Sequence, residues 1–475
     1  MGTSLSGLTP KDTYPALLKT SDNTIINSTL KTISDGSGDD TVLQLSTLRV
    51  GVKSDSTVTT QTSSVIQSST TNANLVIAPN GLGALIAQIP DGTVTGGNAR
   101  GIYSVDLQRI RTVASQVATG EKSVIGGGAN NLIDVNSGLS VISGGLGNKI
   151  EFGSYGFIGS GNQNFINGGF GFNHVIVGGT ANIVSGGNGN AFIGGGDTNT
   201  NSAGWGVISG GRSNTASSSY STVSGGQSNT ASTNTHATVV GGASNTASGS
   251  KATAGGQGSN ASANFSIAIG DTVTASGLGA IALGGQSLSA SGTRSGAFGF
   301  AVQASGDYSY GFGTYLSAYL QGQFTTSGTN FSDFGLCQQS ILVANRQAAL
   351  ASSATTVLSL DGTGVTNLII PNGNNRLWAV KVVATAFVSV AGGTLVLGDS
   401  YMGEYTLLFK KVGGVSSVVG VNAGNIIYDT NMVTAAFTFS AGASQELKIT
   451  FKAPTTASAT TFRCVARVEL TEVAY

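Results

Sequence analysis

The chain has 475 residues, of which 72 are glycine and only 9% are charged. Lys plus Arg equals Asp plus Glu at 22 each, so zero net charge leaves no electrostatic footprint for nucleic acid or an anionic membrane. Two cysteines, Cys337 and Cys464, cannot build a disulfide scaffold, and no run of ~18 apolar residues is available for membrane insertion.

The first segment, residues 1–51, holds Pro10, Pro15, a turn at Ser34-Asp35-Gly36-Ser37-Gly38 and strand-like pieces such as Val42-Leu43-Gln44-Leu45. It carries much of the chain's charge and is too small to bury a core alone. It is expected to be either a leading strand pair on the next domain or, the reading carried forward, an anchor that docks the chain on another protein. Met1–Tyr14 lacks the basic start and apolar centre of a secretory signal. Residues 52–122 are rich in Ser and Thr, with turns at Pro79-Asn80-Gly81 and Pro90-Asp91-Gly92, and are expected to form a β-rich stalk or linker. Within them Leu107, Ile110, Val113 and Val117 have the spacing of one helical stripe over Ser104–Ala118.

From Ser123 to Ala318 the sequence repeats. Each unit ends a short apolar strand in a glycine turn, as in Val141-Ile142-Ser143-Gly144-Gly145 and Val207-Ile208-Ser209-Gly210-Gly211. Anchors from Gly127 to Gly313 recur at steps of 14 to 18 residues. A fixed short period means stacked units. With coils ~4.8 Å apart, the repeat predicts a rod on the order of 60 Å long. Four residues after the anchor, the first eight units carry Asn131, Asn148, Asn164, Asn182, Asn199, Asn214, Asn229 and Asn245. Amides stacked at that spacing can form a structural hydrogen-bonded ladder. After Gly255 the ladder stops and the step tightens. A thin coil buries only two or three aliphatic side chains, while ordering each backbone residue costs ~1–2 kcal/mol. Burial against identical chains is expected to supply the difference, which predicts a homotrimer.

The later units, Ser266-Ile267-Ala268-Ile269-Gly270 and Ala280-Ile281-Ala282-Leu283-Gly284, resemble the head repeat of trimeric autotransporter adhesins, the YadA-like roll. The longer early units are similar to the variant of that repeat in bacteriophage tail-fibre proteins. The resemblance covers about 200 residues. It implies an all-β, trimeric, left-handed parallel β-roll over 123–318. With neither an export signal nor a long coiled-coil stalk in view, it favours a virion fibre over a bacterial surface adhesin.

Residues 319–345, with Phe324, Phe331 and Phe334, are expected to be a neck. Over 346–475 glycine thins out and alternating runs recur between turns, as in Leu447-Lys448-Ile449-Thr450-Phe451. They predict a C-terminal antiparallel β-sandwich. Its closing Arg-Val-Glu-Leu strand resembles a C-terminal domain of phage fibre proteins.

Little in the chain points to chemistry. Paired carboxylates would signal glycan hydrolysis, but the repeat's acids, Asp134, Glu151, Asp197, Asp271 and Asp307, are far apart in sequence. The glycine clusters lack the Asp of calcium-binding repeats and the Gly-Lys-Ser/Thr of phosphate loops. His174 and His236 stand alone, and a core or solvent role is expected for each rather than a metal site. The expectation is therefore no catalytic residue, no cofactor, no metal and no enzyme activity. Tyr401, Tyr405 and Tyr428, with Trp378, are candidates for packing or receptor contact. The composite expectation is a structural, homotrimeric phage fibre in the virion, on the tail rather than the head. Residues 1–51 would hold other virion proteins, and the C-terminal domain would meet a host glycan or protein. The competing readings are a head-decorating fibre or tail adaptor, a tailspike polysaccharide hydrolase and a bacterial adhesin.

Overall fold

The computed structural model describes residues 79–475 apart from 80, 169–172, 186–188, 328–336, 366–368, 370–372, 374 and 475. In 1–78 it describes four short strands, Lys19–Thr20, Lys31–Ser34, Asp40–Leu45 and Val50–Val52, which pair antiparallel in sequence order. Those residues form a unit separate from Pro79–Tyr475. Phe331 and Phe334 lie outside the described residues.

The second unit is all-β, and its first part is a parallel solenoid. Two-residue alternation drives it. In Val141-Ile142 the isoleucine is fully buried and the valine half-buried, and the same pattern recurs at Val175-Ile176 and Val207-Ile208. Successive coils pair in register, Val141 on Phe157 on Val175 on Phe192 on Val207. The inward column therefore runs Ile142, Ile158, Ile176, Ile193, Ile208, and a second strand per coil supplies Ile133, Ile150, Ile166 and Val184. Toward the C-terminus both columns become alanine, for example Ala254, Ala268 and Ala282 on one wall and Ala247, Ala261 and Ala275 on the other. The shortest repeats fall where the inward side chains are smallest.

The stacking begins before residue 123. Leu85–Ile86 pairs parallel with Val105–Asp106, and that strand pairs with Val124–Ile125. The helix expected over Ser104–Ala118 is absent: Ile110 and Ala118 instead make parallel bridges to Ala129 and Ile133 of the next coil. Leu107, Ile110 and Val113 are exposed while Val117 is fully buried, so the apparent stripe does not share one face.

Corner geometry changes along the solenoid. Early corners are sharp glycine turns. Gly196 has φ 95°, and a Cβ there would run into the Gly211 carbonyl oxygen. In the last coils the strands run through the corner, over Gly296–Ala304 and Tyr310–Ala318, and pair from Gly296↔Tyr310 to Ala304↔Ala318, skipping only the corner residues Ala301 and Tyr315. Backbone pairing there replaces the side-chain bonds that early corners need.

The final coil passes directly into the C-terminal sheet. Tyr310–Ala318 pairs parallel with Phe324–Ser327, which pairs antiparallel with Cys337–Leu350. That strand pairs with Thr460–Ala474, then come Arg376–Val390, Ser400–Val412 and Val415–Tyr428, all antiparallel. A three-stranded antiparallel sheet of Thr355–Leu358, Leu447–Lys452 and Ala436–Ala441 contributes to the same core. Trp378, Phe409, Phe451 and Phe462 are fully buried there.

Glu472 is buried between the two parts. Its Oε2 accepts from Gln338 Nε2 at 3.0 Å and from the Tyr319 hydroxyl at 3.5 Å, and Oε1 lies 3.6 Å from Arg376 Nη1. Burial raises its pKa above the ordinary value of 4.5, while Arg376 and the hydrogen bonds pull the other way. The folded state thus holds its proton to higher pH than the unfolded chain. Its contribution to stability is fully present below the unfolded pKa and is lost as pH rises through the folded one. Glu472→Gln is expected to flatten the decline of thermal stability above pH 4.5. An unchanged pH profile would show that Glu472 does not set it.

Candidate functional site

The eight asparagines occupy one fully buried column. The Oδ1 of each accepts the backbone N–H of the next member, for example Asn199 N–H on Asn182 at 3.0 Å and Asn214 N–H on Asn199 at 3.0 Å. Each Nδ2 donates to its own corner, as Asn199 does to Gly195 O at 3.0 Å, and to the next, Gly211 O at 2.9 Å. The column is longer than eight. Gln108 Oε1 accepts from Asn131 N–H below, and Ser259 N–H donates to Asn245 Oδ1 above. Ser259 falls four residues after Gly255 and was findable from that phase. Gln108 lies 23 residues before Asn131, outside the repeat step. Above Ser259 the column turns apolar, with Val273, Leu288, Val302 and Leu316 buried.

The C-terminal candidates do not gather into a surface site. Tyr401 and Tyr405 are buried, their hydroxyls 2.9 Å apart. Tyr401 packs on Phe437 and Tyr405 on Phe439. Burial and the Tyr401 hydrogen bond raise the Tyr405 pKa. Of the two roles offered for them, packing or receptor contact, their burial fits packing, because the strand period turns both inward. Tyr428 alone is exposed, stacked on Tyr401 at 6.2 Å. Trp378 packs in the core, 5.6 Å from Phe409. Cys464 is buried too, and its thiol is pushed up to about 12. On the outer face of the large sheet, a concavity of about 700 Å³ is lined by Ile341, Leu408, Val419 and Val421, with Lys381 and Glu469 beside them.

The repeat's ionisable groups are tied to neighbours. Asp134 caps its own turn through the Asn136 N–H and Ser137 hydroxyl, Glu151 pairs with Lys149 at 2.6 Å, and Asp197 with Arg212 at 3.6 Å. Asp271 accepts from the Thr272 hydroxyl and Asp307 from the Thr293 N–H. His174 is buried, which lowers its pKa, and its Nδ1 accepts the Ala191 N–H at 3.3 Å. Among the described residues no three His, Cys, Asp or Glu side chains assemble into a metal-holding group.

An unanticipated feature is an exposed column on one corner. Tyr220, His236, Lys251, Phe265, Gly279, Arg294, Tyr308 and Gly322 each donate a backbone N–H to the coil before, as Tyr220 does to Gly204 O and Phe265 to Ser250 O. The non-glycine members, and Trp205 below them, have φ between 53° and 63°. Trp205 stacks on Tyr220 at 5.1 Å and Tyr220 on His236 at 4.8 Å, with planes within 10°. The Lys251 ammonium lies 5.2 Å over Phe265, and the Arg294 guanidinium 5.7 Å from Tyr308. Left-handed geometry costs a bulky residue ~1–2 kcal/mol that glycine avoids. The other corner takes the same left-handed φ, as at Thr198, Ser213, Ser228 and Ser244, so the conformation belongs to the coil; what sets this corner apart is that aromatic and cationic side chains occupy it. The sequence signal was a large residue two positions before each strand, as in Tyr220-Ser221-Thr222 and Phe265-Ser266-Ile267.

No protein family and no curated protein matches the sequence. Among solved structures, the tailspike protein of Acinetobacter phage vB_ApiP_P1 is similar over 82% of this chain and 76% of its own, at 10% identity and TM-score 0.23. The tailspike of Acinetobacter baumannii phage AM24 is similar over 80% and 68%, at 9% identity and TM-score 0.20. The tailspike of A. baumannii bacteriophage Fri1, described as a capsular polysaccharide depolymerase, is similar over 82% and 72%, at 8% identity and TM-score 0.19. The expectation of a non-enzyme is corrected against this last neighbour, an enzyme by its description, and is not carried forward.

Proposed function

We propose that the chain is a phage tail fibre or tailspike-type attachment protein, a homotrimer that holds its C-terminal module toward the host surface. The observation that carries this reading is the outward face of the solenoid. Val141, Phe157, Val175, Phe192 and Val207 lie in register on one strand column, with Phe157 and Phe192 36% and 37% exposed. An apolar column over five successive coils, continued by Thr222 and Thr238, is matched in pitch by an identical column, which supports self-association. Burying each such side chain contributes ~1.5–3 kcal/mol. In this reading the repeat is the left-handed YadA-like roll, the C-terminal sheets are the sandwich, and residues 1–51 dock on the virion. The eight asparagines serve the rod as structural rungs, and Tyr428 remains a candidate receptor contact. Three tips on one stalk turn weak glycan or protein contacts into avidity.

Sedimentation equilibrium of the full chain is expected to give three times the chain mass, and Phe192→Asp to shift it toward monomer. A wild-type monomer would overturn the assembly. Purified protein is expected to block phage adsorption to host cells. Normal adsorption in its presence would overturn the attachment role.

A further inference from the structure

The exposed corner column has a missing rung. Phe265 and Arg294 are separated by Gly279, which has no side chain. Lower on the same corner a side chain fills such a space: a Cβ on Gly189, just before the column position Asn190, would strike the Trp205 ring. At Gly279 a Cβ would meet only Arg294 Cγ, at 3.5 Å, and no atom of Phe265 within 4 Å. The slot spans two coil steps, about 9.6 Å, enough for one saturated six-membered ring between the flanking groups. Phe265 is 54% exposed, and its other face is already covered by Lys251.

We propose that this slot binds one acidic pyranose of a host-surface polysaccharide. The C–H face of the sugar would lie on Phe265, and its carboxylate would meet the Arg294 guanidinium. Aromatic faces take apolar ring surfaces, and guanidinium binds carboxylate through paired, charge-assisted hydrogen bonds. The charge of the column favours an anion: from Trp205 to Gly322 its charged members, Lys251 and Arg294, are both cations. Elsewhere in the column Trp205, Tyr220 and His236 cover one another, and Tyr308 beside the second side-chain-free member, Gly322, has its guanidinium partner Arg294 on the opposite face, so only the Gly279 slot lies between an aromatic ring and a cation. The proposal rests on the attachment reading for its biological source, but the slot is tested on purified protein alone.

The test is calorimetric titration of the full chain with three acidic tetrasaccharides, containing glucuronate, galacturonate or sialic acid, and with their carboxyl-reduced counterparts. At least one acidic probe is expected to bind. Phe265→Ala is expected to weaken it at least tenfold, and Arg294→Gln to abolish the preference over the reduced counterpart. Gly279→Tyr fills the rung in a backbone conformation that Tyr220 and Tyr308 already adopt, so it is expected to fold normally and bind nothing. The proposal is overturned if no acidic probe binds wild type, if Gly279→Tyr binds as wild type does, or if Gly279→Tyr breaks the oligomer, which would make the slot a chain contact. Failure of adsorption blocking with slot binding intact would sink the attachment reading and leave the slot standing.

Discussion

Asn199→Ala is expected to destabilise the solenoid by about 3–5 kcal/mol, the larger end of what single substitutions do. The asparagine is fully buried and serves three coils at once. Removing its amide deprives the Asn214 N–H of its acceptor at 3.0 Å and the Gly195 carbonyl of its donor. The Gly211 carbonyl keeps the Asp197 N–H at 2.9 Å and is spared. Each orphaned buried group costs ~1–3 kcal/mol, and the space left by the amide adds to it. Asn199→Asp keeps the acceptor but loses all three donated bonds, to Asn182 Oδ1, Gly195 O and Gly211 O, and buries a charge, so it is expected to be no better. Chemical denaturation measures the total, and amide exchange at Asn214 localises it. A loss under ~1 kcal/mol would mean that water or a relaxed corner replaces the rung.

The period, the strand alternation and the asparagine column were legible because each is a local rule repeated many times. Val141-Ile142 places one side chain in and one out wherever it occurs. The first coils were not legible, because the excursion from Leu107 to Val117 broke the step and mimicked a helix. Tyr401 and Tyr405 show a second limit. Aromatic identity suggests a surface, while burial depends on which sheet face a strand turns inward, and only pairing with Arg376–Val390 decides that. The corner column was present in the sequence but hidden by variety, since tryptophan, tyrosine, histidine, lysine, phenylalanine and arginine share no type. What they share is a backbone position. The missing rung at Gly279 has meaning only once the neighbouring coils are stacked.

Asp106→Ala is expected to unravel the N-terminal coils while leaving the C-terminal ones folded. Asp106 pairs with Arg100 at 2.8 Å, both side chains being essentially inaccessible, and its Oδ1 accepts the Gln108 N–H at 3.2 Å. Arg111 is buried nearby, held by Gln88 and by the carbonyls of Thr95 and Gln108. Burial and the Arg100 charge lower its pKa, with Asp106 acting against them. Asp106 is therefore the ion-pair partner of Arg100 where the solenoid begins, and with Asp91 it offsets the charge of Arg111. Removing one partner of a buried pair costs ~3–5 kcal/mol, because the other charge stays desolvated. The Asn column starts at the same place, since Gln108 supplies the acceptor for the Asn131 N–H, so its first rung is expected to open as well. In a stack where each coil touches only its neighbours, such damage stays local. Hydrogen exchange is expected to accelerate over residues 85–133 and to remain native beyond the middle of the repeat. Uniform acceleration along the whole chain would show that the coils unfold as one cooperative block. Native protection at 85–133 would show that the buried pair is dispensable.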